Sequence, residues 1–103
     1  MHDVGRIGKQ AAPFFEGVAG RNDVSYNTFH DGPRAGYNTN PGLGGTRLHA
    51  NVLFNAVKET WDHGPYNSWG RQDWVYESGA SGAKQLFPER TELSNNLILN
   101  RNY

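Results

Sequence analysis

The chain has no cysteine. Disulfide staples and thiolate metal sites are excluded, and a small domain loses its usual covalent rescue. No apolar run approaches the ~20 residues that a membrane-spanning helix needs, and the stretch Met1 to Lys9 lacks the hydrophobic run of a secretory signal. None of the asparagines begins an Asn-x-Ser/Thr sequon. Net charge is also lacking: ten Lys plus Arg balance ten Asp plus Glu, so nothing pulls the whole molecule toward nucleic acid or an acidic membrane surface. Core formers are scarce as well. Leu, Ile, Val and Phe make up about 19% of the 103 residues, just under the level at which a compact core becomes doubtful.

Thirteen Gly, five Pro and eleven Asn fill the space, and mean hydropathy is −0.77. Residues 1–45 are dense in turn formers, among them Asp31-Gly32-Pro33, Asn40-Pro41-Gly42 and Gly44-Gly45. No helix of ordinary length fits between such breakers, so this half reads as an extended Gly/Asn/Pro-rich arm. Phe14 and Phe15 interrupt it as an apolar knot that needs something to pack on.

From Thr46 the character changes, and residues 46–103 read as a small segment combining a helix with many aromatics. Leu48, Val52, Leu53, Ala56, Val57 and Trp61 recur at spacings that line one stripe of a helix over about 46–61, with Thr46 as N-cap and Gly64-Pro65 as terminator. Such a helix is marginal alone in water, so its stripe has to be buried against something. Trp74-Val75-Tyr76 suits a short strand over 74–76. Pro88, Leu93, Leu97 and Ile98 suit a second short helix over 88–100, although Leu97-Ile98-Leu99 also fits a strand. The expected fold is mostly irregular and extended, with little regular structure.

An internal echo links Tyr26-Asn27-Thr28, Tyr37-Asn38-Thr39 and Tyr66-Asn67-Ser68, and another links His30-Asp31-Gly32-Pro33 with Asp62-His63-Gly64-Pro65. The spacings are irregular, and the residues are common turn formers, so no repeat architecture is expected.

Chemistry-bearing motifs are weak. The His30-Asp31 and Asp62-His63 units, brought together, would offer a metal site or an acid–base pair, but neither fits a known ligand spacing and both precede Gly-Pro. No Ser lies in a nucleophile elbow. Gly42-Leu43-Gly44-Gly45-Thr46 lacks the Lys-Ser/Thr of a phosphate loop. No catalytic, cofactor-binding or metal-binding residue is assigned.

Aromatic residues interleaved with Arg, which holds seven of the ten cationic positions, are enriched where proteins meet proteins. They also suit single-stranded nucleic acid, a reading disfavoured by zero net charge. The expectation is a non-enzymatic structural or accessory subunit. It threads over larger protein neighbours in an assembly and is present in multiple copies. A virus particle is the first setting, with a minor capsid, cement or connector role, and a cellular assembly the second. The alternative is a small autonomous domain that binds nucleic acid or a metal. The expected partner-binding residues are Phe14, Phe15, Leu48, Val52, Leu53, Val57, Trp61, Trp69, Arg71, Trp74, Tyr76 and Arg101.

Overall fold

The computed structural model describes residues 1–40, 42–69 and 90–100. Among them are nine strands of three residues each: β1 (Phe14–Glu16), β2 (Asp23–Ser25), β3 (Thr28–His30), β4 (Tyr37–Thr39), β5 (Arg47–His49), β6 (Val52–Phe54), β7 (Tyr66–Ser68), β8 (Glu92–Ser94) and β9 (Leu97–Leu99). They form three parallel sheets in the orders β1-β4-β7, β2-β5-β8 and β3-β6-β9. The chain therefore visits three faces in turn and then returns to lie in register on its own previous circuit. The product is a parallel β-solenoid whose described residues make three stacked coils.

Strand residues alternate inward and outward with the period of two that a pleated strand imposes. The inward rows run along the stack as Val24–Leu48–Leu93 and Phe29–Leu53–Ile98. A third row is aromatic: Phe14, Tyr37 and Tyr66 stack with centroids 5.3 Å apart at both steps and rings within 10° of parallel. In the middle coil Tyr37, Leu48 and Leu53 are wholly buried, and burial of each such side chain contributes about 1.5–3 kcal/mol. Each coil gains a core only by lying on another, which is how a chain with few apolar residues still folds.

The second and third strands of every coil meet at a two-residue corner: Tyr26-Asn27, Ala50-Asn51 and Asn95-Asn96. The first corner residue is left-handed each time, with φ of 56°, 53° and 54°. The second is always Asn, and these asparagines form a ladder. Asn51 Oδ1 accepts from the backbone N–H of Asn27 at 2.9 Å and from its Nδ2 at 3.2 Å. The Asn51 backbone N–H donates to Asn96 Oδ1 at 3.0 Å, and Asn51 Nδ2 reaches the carbonyls of Val24 at 2.8 Å and His49 at 2.9 Å. Asn96 Nδ2 repeats the pattern on the Leu48 carbonyl at 2.8 Å. The primary carboxamide has two donors and two acceptor lone pairs, which bridge consecutive coils where the backbone turns away from its ladder.

The N-terminal end of the stack is covered. The His30 N–H donates to the Met1 carbonyl at 3.1 Å, the Met1 amino group donates to the Thr28 carbonyl at 2.5 Å, and the His2 ring stacks on His30 at 5.0 Å.

This architecture overturns the sequence-based fold. The helix expected over 46–61 is instead β5, a corner and β6, followed by a loop. Left-handed Ala50, Asn55 and Val57, at φ of 53°, 50° and 60°, interrupt any helix there, and pairing with coils on both sides replaces helical hydrogen bonds. The described part of the helix expected over 88–100 is β8 and β9, for the same reason. The strand expected over 74–76 lies outside the described residues. Stacked coils also correct the expectation that no repeat exists. Bonded corner asparagines are 24 and then 45 residues apart, because coils of equal cross-section carry loops of unequal length.

Asn51 is 1% exposed. Replacing it with Ala strands the buried Val24 carbonyl together with the part-buried Asn27 N–H and His49 carbonyl, each costing up to about 1–3 kcal/mol. Asn51→Ala should therefore destabilise the chain by about 3–5 kcal/mol, as read by chemical denaturation. Exposed Asn55→Ala, the control, should shift the midpoint by far less.

Candidate functional site

Three places gather polar or apolar groups in excess of what a core needs: a buried carboxylate, the two His-Asp loops, and the end of the stack formed by β7, β8 and β9.

Glu16 points inward from β1 and is 3% exposed. Its Oε2 accepts from the Tyr37 hydroxyl at 2.8 Å, the Thr46 hydroxyl at 2.9 Å and Asn22 Nδ2 at 3.2 Å. Thr46 Oγ1 in turn accepts from the Asn22 N–H at 3.3 Å. Burial first, and the Glu16 carboxylate second, push the Tyr37 hydroxyl's pKa up, so Tyr37 stays a proton donor to Glu16. Gly42 closes the cage: a Cβ there would sit 2.5 Å from Thr39 Oγ1 and 3.2 Å from Glu16 Oε1. The arrangement is packed tight and binds the first two coils together. A buried charge is tolerated when it is multiply hydrogen-bonded, and here the carboxylate fastens a corner that has no Asn ladder.

The first His-Asp unit spans the end of β3 and the start of the loop after it, and the second lies in the loop after β6. Asp31 accepts from Lys58 Nζ at 2.5 Å and lies 2.7 Å from His30 Nδ1. The Lys58 hydrogen bond, followed by that of His30, lowers the Asp31 carboxyl to about 2. In the second unit Arg34 donates to His63 Nε2 at 2.8 Å, while His63 Nδ1 lies 2.6 Å from Asp62 Oδ1. Nε2 faces the Arg34 guanidinium and Nδ1 faces the neighbouring carboxylate. The Asp62 carboxyl is lowered, chiefly by the adjacent His63 imidazole. The two units thus tie neighbouring loops and do not merge. Among the described residues no group of three or more His, Cys, Asp or Glu is placed to hold a metal ion.

A cleft of about 530 Å³ lies between the N-terminal segment and these loops. The charges around it are internally paired, with Arg6 on Asp3 at 3.2 Å and Lys9 on Glu59 at 2.9 Å.

The end of the stack is different. Leu93 and Ile98 occupy the inward positions held one coil below by Leu48 and Leu53, yet they are 44% and 42% exposed, where their counterparts are 0%. The outward rows of the third sheet turn apolar toward the same end. Thr28 gives way to Val52 and Leu97, and His30 to Phe54 and Leu99, with Leu97 and Leu99 more than half exposed. A groove of about 350 Å³ runs between Phe54, Asn55, Leu99 and Asn100.

The residues expected to bind partners are divided by the fold. Leu48 and Leu53 are consumed by the chain's own core, and Phe14 stacks on Tyr37 inside it. Phe15 faces outward and is exposed, as is Trp69, whose backbone N–H donates to the Thr39 carbonyl at 3.1 Å. Val52 and Val57 are half-buried, and Trp61 is fully exposed in the loop after β6. Arg71, Trp74, Tyr76 and Arg101 lie outside the described residues. Sequence reasoning missed Leu93, Ile98 and Leu99 as candidates. The signal for them was present as apolar-x-x-Asn-x-apolar in Val24 to Phe29, Leu48 to Leu53 and Leu93 to Ile98.

Two outcomes test these electrostatics. Tyr37→Phe deprives the buried Glu16 of one donor and should cost about 1.5–3 kcal/mol in denaturant unfolding. For Asp31, whose folded pKa is depressed, the ionised form stabilises the fold fully above the ordinary 3.8, and this stabilisation is lost as pH falls through about 2. Asp31→Asn should therefore flatten the acid limb of the stability–pH profile over that window and leave its slope at neutral pH unchanged.

No protein family, curated protein or solved structure matches the chain.

Proposed function

We propose that this chain is a non-enzymatic structural subunit: a short, stiff solenoid that docks on larger protein neighbours in an assembly through the open end formed by β7, β8 and β9. The observation that carries this reading is the exposure of Leu93 and Ile98, core-type side chains in core-type positions with no further coil above them among the described residues. Contiguous exposed apolar surface marks interaction sites in otherwise polar proteins, and a strand edge offers backbone donors and acceptors for pairing. The charge distribution supports a protein partner over nucleic acid. Arg6, Arg34 and Arg47 are each within 4.0 Å of carboxylates of the same chain. No helix among the described residues is long and apolar enough to cross a membrane. The setting we assign first is a virus particle, with the chain as a minor capsid, cement or connector component. Its support is the Cys-free, Gly- and Asn-rich composition.

Size fractionation of lysate from the natural source should find the chain with material far heavier than its own 11.5 kDa. A Leu93→Lys and Ile98→Lys double variant with unchanged circular dichroism should lose that association. Wild-type chain running alone at its own mass would refute the reading.

A further inference from the structure

Resting on the docking reading above, the geometry of the open end specifies what it takes. We infer that the β8–β9 edge captures a segment of another protein by parallel strand addition, and that the segment has the pattern basic–apolar–x–x–Asn–x–apolar.

Each position follows from a row that the stack leaves unfinished. The outward row of the second sheet alternates in sign, Asp23 then Arg47 then Glu92, with Arg47 4.0 Å from Asp23 and 3.7 Å from Glu92. The next member after Glu92 is therefore a cation. The inward rows end in Leu93 and Ile98, which are covered by apolar residues five apart, as Val24 and Phe29 are by Leu48 and Leu53. The corner requires Asn. The backbone N–H of Asn27 is met by Asn51 Oδ1, and that of Asn51 by Asn96 Oδ1, whereas among the described residues no carboxamide meets the N–H of Asn96. The corner carbonyls of Asn27 and Asn51 likewise accept from Val52 and Leu97 of the following coil at 2.9 Å. A partner segment supplies the same donor to Asn96. Main-chain pairing then gives affinity, and the alternate side chains give selectivity, as in strand addition generally.

A second copy stacked head to tail does not fit this edge. Its β3 is already occupied by Met1 and His2, and its Asp23 would fall on Glu92, setting like charges opposite each other. The first coil of a second copy is thus not the occupant.

The middle coil of this chain itself satisfies the pattern in Arg47-Leu48-His49-Ala50-Asn51-Val52-Leu53-Phe54, so a labelled octapeptide of that sequence is the probe. Titrated against the full chain and followed by fluorescence anisotropy and amide chemical shifts, it should bind saturably and perturb the amides of β8, β9 and their corner. The peptide's Asn51→Ala variant should bind about tenfold more weakly, and its Arg47→Glu variant about two- to fivefold more weakly. On the Glu92→Lys chain, the preference between the Arg and Glu peptides should reverse. A scrambled peptide that binds equally well, shifts elsewhere on the chain, or an unreversed charge preference would overturn the inference. If any of these occurs while the chain still co-fractionates with its assembly, the segment rule fails and the docking reading stands. If the chain runs alone in fractionation, the docking reading itself fails.

Discussion

The structure depends on one carboxamide used again and again in the same place. Where the chain leaves the second sheet for the third, the backbone cannot continue its inter-strand ladder, and the freed N–H and C=O groups are buried or part-buried around Asn51. Asn51 satisfies groups in its own coil and in the one below, while its own N–H is satisfied by Asn96 above. An unpaired buried backbone group costs about as much as a lost hydrogen bond, so the ladder is the condition on which parallel stacking rests. Stacking in turn is the condition for a core. With only three residues per strand, no coil buries anything alone.

The same logic explains why the molecule tolerates so much irregularity elsewhere. Loops after β3 and β6 differ in length and are pinned by side chains: Lys58 and His30 on Asp31, Arg34 and His63 with Asp62. The turn after β1 uses a different device, the Glu16 carboxylate with Tyr37, Thr46 and Asn22. These contacts fix the coil cross-section while leaving the loop sequence free, which is why neighbouring coils look unlike each other as strings of letters.

That freedom limited what could be read beforehand. The apolar stripe pointed to Leu48 and Leu53 as residues needing burial, and both are wholly buried; the Tyr37-Asn38-Thr39 and Tyr66-Asn67-Ser68 echo marks segments that do pair in register. The inference from them went astray because two three-residue strands joined by a two-residue corner place apolar side chains five apart, a spacing that also falls near one face of a helix. Left-handed Ala50 and Val57 carry no sequence mark of the kind that glycine gives. The Glu16 cage had no signal at all, since its members are scattered from position 16 to position 46. Its closing glycine was legible only as one turn former among many.

The open end brings fold and proposed role together. A solenoid has no intrinsic stop, and the described coils finish with an apolar row and a hydrogen-bonding corner of the kind that every lower coil covers. Residue-resolved amide hydrogen exchange on the purified chain tests this most directly. Exchange should be slowest at Asn27, Asn51 and the strands of the middle coil, and fast at the corner N–H of Asn96. Protection at Asn96 equal to that at Asn51, or uniformly fast exchange through β4, β5 and β6, would contradict this.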